Sequence, residues 1–298
     1  MRRATALRVR CPAKINLGFW ILGRRPDGHH EVDTILQAVS LEDEILLEAS
    51  GGEGLALETR GRPILGEGAN IVERAWYLIQ DRAGRKLPGI RVTLTKRIPV
   101  GGGLGGGSSD AAGFLLGADR LLGLAIGGAD LMGLASRLGA DVPFFMRGGT
   151  ARGTGRGDRV RHLCPAPPAW IVLATPPVAV STTWAYGRAR IRLTLGRGAA
   201  SMLAAALGHG RWDVIAPLLH NDFEDVVLPE FPAVAKLRRA LHAGGALGSL
   251  LSGSGSTVFG LASTMEHARR LAERAAAEGA LVHVVRTTER GVAVAGQP

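Results

Sequence analysis

Between residues 70 and 83 apolar side chains recur at Ile71, Val72, Ala75, Trp76, Leu78 and Ile79. This is the 3.6-residue period of an amphipathic helix, with Asn70 placed to cap its start. The same signal predicts helices from Ser108 onward, over 129–145 with Gly139 as its stop, from residue 180 to 190, within 201–228, and over 231–245 and 265–279. Short apolar or alternating runs predict strands at 5–11, 15–23, within 32–49, at 55–60 (paired with the last of these), at 89–99 up to Pro99, at 169–175 and at 281–291. Pro26-Asp27-Gly28 marks a turn, because Pro presets φ and Gly accepts a positive one. Residues 246–263 read as strand, glycine turn, strand. Together with the helix at 265–279 and the strand at 281–291 they form the split αβ pattern of ferredoxin-like layers. The whole is an α+β chain. A Gly-, Arg- and Pro-rich break at 155–168 divides it into an N-terminal domain, 1–160, and a C-terminal domain, 161–298.

Composition narrows the function classes. The chain has 298 residues, 46% of them hydrophobic, enough for two buried cores. Its two cysteines form no CxxC and its eight histidines no HExxH, so neither a disulfide framework nor a structural metal site is expected. No signal-peptide pattern and no run of about 18 apolar residues occurs, so a cytoplasmic protein without a membrane partner is expected. The net charge of +10 is carried by 32 Arg and only four Lys. It fits an anionic partner or a compositional preference for Arg. With aromatics at 5%, the aromatic–basic interleaving of a nucleic-acid surface is missing.

The strongest chemical signal is the loop at 101–107, where Gly101, Gly102, Gly103, Gly105, Gly106 and Gly107 surround Leu104, followed by Ser108, Ser109 and Asp110. Glycines leading into a helix leave backbone N–H groups outward at its positive end, which suits a polyphosphate. Ser108 and Ser109 add hydroxyls for phosphate oxygens or Mg²⁺. A Walker A loop would need a following Gly-Lys-Ser/Thr, which is not there. A dinucleotide fingerprint is formally matched by Gly101, Gly103 and Gly106, but the next element is a helix rather than a strand ending in an acid.

Residues 99–113 resemble the second motif of the GHMP kinases, residues 12–34 the first and residues 250–261 the third, in the same order across almost the whole chain. The resemblance implies an N-terminal ATP-binding α/β domain, a C-terminal ferredoxin-like domain and a cleft between them. Within the family, Pro12 to Leu17, Asp27 to His30, Leu138 to Pro143 and Asn221 to Glu224 resemble the member that phosphorylates an alcohol of a cytidyl-linked polyol in non-mevalonate isoprenoid synthesis. Homoserine or mevalonate kinases are the alternatives inside the family. A non-catalytic nucleotide-binding protein is the alternative outside it.

The roles the resemblance implies are these. Asp141 takes the proton of the acceptor hydroxyl, and Lys14 stabilises the developing alkoxide. A plain cap before Pro143 is the simpler reading of Asp141. Pro99, the glycine loop, Ser108 and Ser109 hold ATP with Mg²⁺, and Lys96 and Asn70 border the adenine. Asp110 suits the helix dipole and is an alternative metal ligand. Asn16, Thr182, Gly253 and Ser254 face the substrate. His30 reads the cytosine, with His29 and Tyr186 as its two stacking faces; the family commonly has Tyr or Phe where His29 stands.

Overall fold

A computed structural model describes residues 5–63, 70–189 and 196–295. The first residues of the basic N-terminal segment and Arg190, at the end of the expected 180–190 helix, lie outside them.

The chain opens with two long antiparallel strands, β1 (Ala6–Arg24) and β2 (His30–Glu53). The runs at 5–11 and 15–23 are therefore one strand, as are those within 32–49. Register shifts at Pro12/Ala13, Asn16/Gly18 and Ile21/Gly23 carry β1 past its proline without breaking it. Next come β3 (Leu55–Gly61), α1 (Ile71–Ala83), β4 (Pro88–Lys96), α2 (Gly106–Leu122), α3 (Gly128–Leu138), α4 (Val142–Phe145), β5 (Thr150–Gly155) and β6 (Arg159–His162). The segment 129–145 is thus two helices. Backbone conformation at Gly139 ends the first, and Asp141 starts the second. β3 runs parallel to β4 instead of pairing with β2, since Leu55 sits opposite Ile90.

The second half contains β7 (Trp170–Thr175), α5 (Thr182–Arg188), α6 (Gly196–Leu207), α7 (Trp212–Ile215), β8 (His220–Asn221), α8 (Glu224–Glu230), α9 (Pro232–Ala243), β9 (Ser249–Leu251), β10 (Val258–Ala262), α10 (Met265–Ala277), β11 (Leu281–Arg286) and β12 (Ala293–Ala295). β7, β9, β10 and β11 form an antiparallel sheet in the order β11-β7-β10-β9. Numbered within that sheet, this is the 4-1-3-2 arrangement of a ferredoxin-like layer. β12 leaves it and pairs with β1, and β8 lies parallel to β1 at Gly18 and Phe19. The predicted 281–291 strand is shorter than its pattern, because the chain crosses here from one sheet to the other.

Three hydrophobic cores, between four layers of helices and sheets, result from side-chain alternation. One core seats α1, α2 and α3 on the first sheet through residues such as Trp76, Phe114 and Leu134. In β7, Ile171 and Leu173 point toward β1 residues Ile15 and Leu17, whereas Val172 and Ala174 point to α9 and α10. The period of two thereby buries both faces of β7, one of them against the other half of the molecule. Among the described residues no helix is long and apolar enough to cross a membrane.

Candidate active site

Where the two halves meet, a cleft of about 820 Å³ is lined from both sides. β1 and β2 form its floor. Residues two apart on a strand share a face, and His30, Val32 and Thr34 of β2 all line the cleft, with Lys14 and Asn16 of β1 beside them.

The reacting end is built around Lys14. Its side chain is almost wholly buried, yet its Nζ lies 2.6 Å from Asn16 Oδ1 and 3.5 Å from Asp141 Oδ2. The chain of bonds continues from Asn16 Nδ2 to Thr34 Oγ1 (2.8 Å) and from that hydroxyl to the Gly18 carbonyl (2.7 Å). The ammonium is thereby aimed by fixed neighbours. Asp141 occupies the N-cap position of α4, but its side chain makes no capping bond. Its carboxylate is one-third exposed and lines the cleft. A cap that does not cap leaves the carboxylate available for chemistry.

The glycine loop reaches the same cleft through Gly103, Gly105 and Ser108. Gly101, Gly103 and Gly105 adopt positive φ, and α2 begins at Gly106 with no side-chain cap, two residues before the expected Ser108. The uncapped first-turn N–H groups are the donors an anion needs. The third motif braces this loop. Ser252 Oγ donates to the Gly103 carbonyl (3.0 Å) and the Thr257 amide to the Gly102 carbonyl (3.2 Å). A Cβ at Gly103 would lie 2.0 Å from the Ser252 carbonyl oxygen, and one at Gly253 would crowd Lys14 Nζ and Asn16 Oδ1 at 3.3 Å. The third motif therefore supports both the loop and the reacting end. Thr182 and Ser254, 3.0 Å apart through their hydroxyls, close the wall opposite.

Several expected ATP-side residues are placed differently. Lys96 is buried, and its ammonium is bonded to the carboxylates of Asp43 and, at 2.5 Å, Asp110. Burial pulls that ammonium down, but the two carboxylates outweigh it and hold it above its usual pKa. So engaged, it has no free face for adenine. Asp110 is likewise buried behind the loop, which corrects its reading as a metal ligand. Ser109 is fully buried with an unpartnered hydroxyl, so of the two serines only Ser108 lines the cleft. Leu104 is a core residue whose carbonyl accepts the Lys14 amide. Asn70 caps α1 in a capping box with Glu73 and, like Pro99, does not line the cleft.

At the far end His30 and Tyr186 stack directly on each other, 4.7 Å between centroids with planes 21° apart. Rings at that distance are already in contact, so the expected sandwich of a base between His29 and Tyr186 is not preformed. The His29 ring is more than half exposed and leans toward Asp27. Burial and the positive Arg24 hold His30 below its usual pKa. Burial, aided by the charge of Asp141, raises the Tyr186 phenol. Phe223 packs edge-on against Tyr186 at 4.9 Å. Its neighbour Asn221 donates to the Leu251 and Gly253 carbonyls at 2.8 Å each, and Asp222 accepts the Ile21 amide. The segment 221–223 thus ties the aromatic wall to the third motif. Its role, and those of Thr34 and Phe223, were missed in the sequence. The alternation of His30, Val32 and Thr34 was the available signal for Thr34.

The family model for the GHMP kinases N terminal domain matches residues 70–149, and that for the GHMP kinases C terminal matches residues 203–281. Among curated relatives, the 4-diphosphocytidyl-2-C-methyl-D-erythritol kinase of Syntrophotalea carbinolica is 43% identical over 88% of this chain and 91% of its own length. That of Pelotomaculum thermopropionicum is 40% identical over the same shares. A crystal structure of 4-(cytidine 5'-diphospho)-2C-methyl-D-erythritol kinase superposes with a TM-score of 0.77 at 35% identity, covering 94% of this chain and 98% of that one. Homoserine kinase from Cytophaga hutchinsonii shares the fold (TM-score 0.78, 22% identity, 99% of both chains). Three ordered motifs, a loop braced by the third of them, and relatives matched over nearly their full length lead to one statement: the chain belongs to the GHMP kinase family.

Proposed function

We propose that the chain transfers the γ-phosphate of ATP to the 2-hydroxyl of 4-diphosphocytidyl-2-C-methyl-D-erythritol. The observation that carries this is the Lys14–Asp141 pair, 3.5 Å apart, in the cleft that also holds the glycine loop and the His30–Tyr186 wall. Phosphoryl transfer asks for alignment and charge neutralisation more than for covalent chemistry. The acceptor hydroxyl loses its proton to Asp141 as its oxygen bonds to the γ-phosphorus. The bond from that phosphorus to the bridging oxygen breaks, and ADP leaves. Lys14, steadied by Asn16, offsets the charge that develops on the acceptor oxygen. The first-turn N–H groups of α2 and the backbone of Gly103 and Gly105 hold the phosphates.

Bound with the nucleotide, Mg²⁺ would supply neutralisation of phosphate charge. Ser108 and Asp141 are cleft-lining oxygen donors that would hold such a hard cation. Asp110 does not fit, being turned to Lys96.

At the other end His30 and the Tyr186–Phe223 wall receive the cytosine once their stack parts. Coupled ADP release over a panel of the cytidyl compound, homoserine and mevalonate tests the reading. Release with the cytidyl compound alone is expected. Release with none of the three would leave a binding protein.

A further inference from the structure

At the reacting end the fold has to choose between two orientations of one side chain. Asn16 ends in an amide, with an acceptor, Oδ1, on one side and a donor, Nδ2, on the other. The two are close in size, so packing by itself does not tell them apart. Turned one way, the amide gives the Lys14 ammonium an acceptor at 2.6 Å. Turned the other way, it would aim N–H groups at a cation. Asn16 is buried, and burial makes such a mismatched pair costly.

The choice is made two bonds away, at a group with only one option. A backbone carbonyl can only accept. The buried Thr34 hydroxyl gives its single proton to the Gly18 carbonyl at 2.7 Å. Its oxygen is left as an acceptor, so the Asn16 atom 2.8 Å away has to be the donor Nδ2. Oδ1 then faces Lys14. Local structure sets the anchor. A register shift in β1 falls between Asn16 and Gly18, the kind of bulge that re-aims groups beside active sites. A Cβ at Gly18 would lie 2.3 Å from the Trp20 ring, so the backbone is held close beneath that side chain. All three bonds of the chain point the same way, away from Lys14, and each polarises the next. Among the described residues Lys14 Nζ meets acceptors only, Asn16 Oδ1 and, at 3.5 Å, Asp141 Oδ2. Lys14 is thereby held as a proton donor, and the Asp141 carboxylate is the partner left to take a proton.

We infer that Thr34 is a positioning residue: its hydroxyl, anchored on the Gly18 carbonyl, sets the Asn16 amide so that Lys14 stays a proton donor to the acceptor oxygen. This rests on the kinase assignment, so ADP release by wild type is measured alongside. Thr34→Val keeps the volume and removes the hydroxyl. Its kcat is expected to fall roughly 10- to 100-fold, the scale of a lost buried hydrogen bond to a charged group, with KM for ATP within about twofold. Thr34→Ser restores the hydroxyl and is expected to recover most of the rate. The decisive comparison repeats Thr34→Val in the Lys14→Ala background. A residue that acts through Lys14 has little left to lose there, whereas a role in folding alone lowers the rate by the same factor in both backgrounds. The full loss on top of Lys14→Ala, a Thr34→Val rate equal to wild type, or a Thr34→Ser rate as low as that of Thr34→Val each overturns the inference. Where thermal melting shows that Thr34→Val does not fold, Thr34→Cys puts a weak thiol donor in place of the hydroxyl and is compared with Thr34→Ser in the same way. Release by wild type that Thr34→Val leaves intact overturns this role alone. No release by wild type on any alcohol overturns the kinase assignment and this role with it.

Discussion

Lys14 approaches Asp141 to 3.5 Å at the reacting end of the cleft, its ammonium already fixed at 2.6 Å by Asn16. A cation brought from strand β1 thus meets a carboxylate brought from the start of α4, far away in the chain. Asp141→Asn keeps the shape and removes the proton acceptor. Turnover is expected to fall by at least ~100-fold, the scale of general-base assistance, with KM for ATP little changed. Lys14→Ala is expected to fall as far. Steady-state kinetics of both variants check this, and near-normal rates in both would end the catalytic assignment.

His30 and Tyr186 occupy each other's stacking faces, so base binding has to separate them. His30→Ala is expected to raise KM for the cytidyl substrate by ~10-fold or more, the cost of one lost buried polar contact, and to leave KM for ATP within about twofold. His29→Ala is expected to do much less, because that ring is mostly in solvent and turned toward Asp27. Equal effects of the two variants would argue against the base end as placed.

A methyl group at Gly103 would strike the Ser252 carbonyl and would sit at a positive φ that only glycine adopts freely. Gly103→Ala is therefore expected to displace the loop from its brace and weaken ATP binding by ~10-fold or more, since the loop's backbone donors act together. Ser252→Ala removes only one bond to that loop, and a smaller loss, near the ~1 kcal/mol of a neutral hydrogen bond, is expected. Nucleotide titration by calorimetry separates the two.

Asp110 links pH to stability. Burial first, with the charge of Asp43 added and that of Lys96 opposing, pushes its carboxyl up to about 8 from 3.8. Through that window the folded chain holds its proton more tightly than the unfolded chain, so stability falls as pH rises. The raised pKa of Lys96 acts only at higher pH. Asp110→Asn retains an acceptor for Lys96 and cannot ionise. Its melting temperature is expected to gain on wild type from pH 5 to pH 8. A difference independent of pH would show that Asp110 is ionised throughout.

Local signals in the sequence announced most elements, and they did so where one residue type had one physical reason. Asn70 with Glu73 three residues later caps α1 as its pattern predicts, and Gly84, Gly123 and Gly279 end or follow helices at positive φ. The strand runs of the first fifty residues were legible, but their continuity was not. Bulges that carry β1 past Pro12 depend on partners in β2, and no local pattern records them. The helix stop at Gly139 was visible, yet its consequence, a carboxylate placed at a cap position without capping, emerges only in three dimensions.

By itself the sequence determined the chemistry carried: a glycine loop that opens a helix, a lysine and an aspartate, a histidine turn, and a second glycine turn. Those come from residue types and their spacing. Tertiary structure alone decided which of these groups meet. It drew Lys96, Asp43 and Asp110 into one buried hydrogen-bonded cluster, turned Ser109 inward, closed His30 on Tyr186 and brought Arg156 to the wall of the cleft. Contacts between segments a hundred residues apart depend on how two sheets pack and where long strands bend, and that information lies in the summed burial of the whole chain rather than in any short stretch of it.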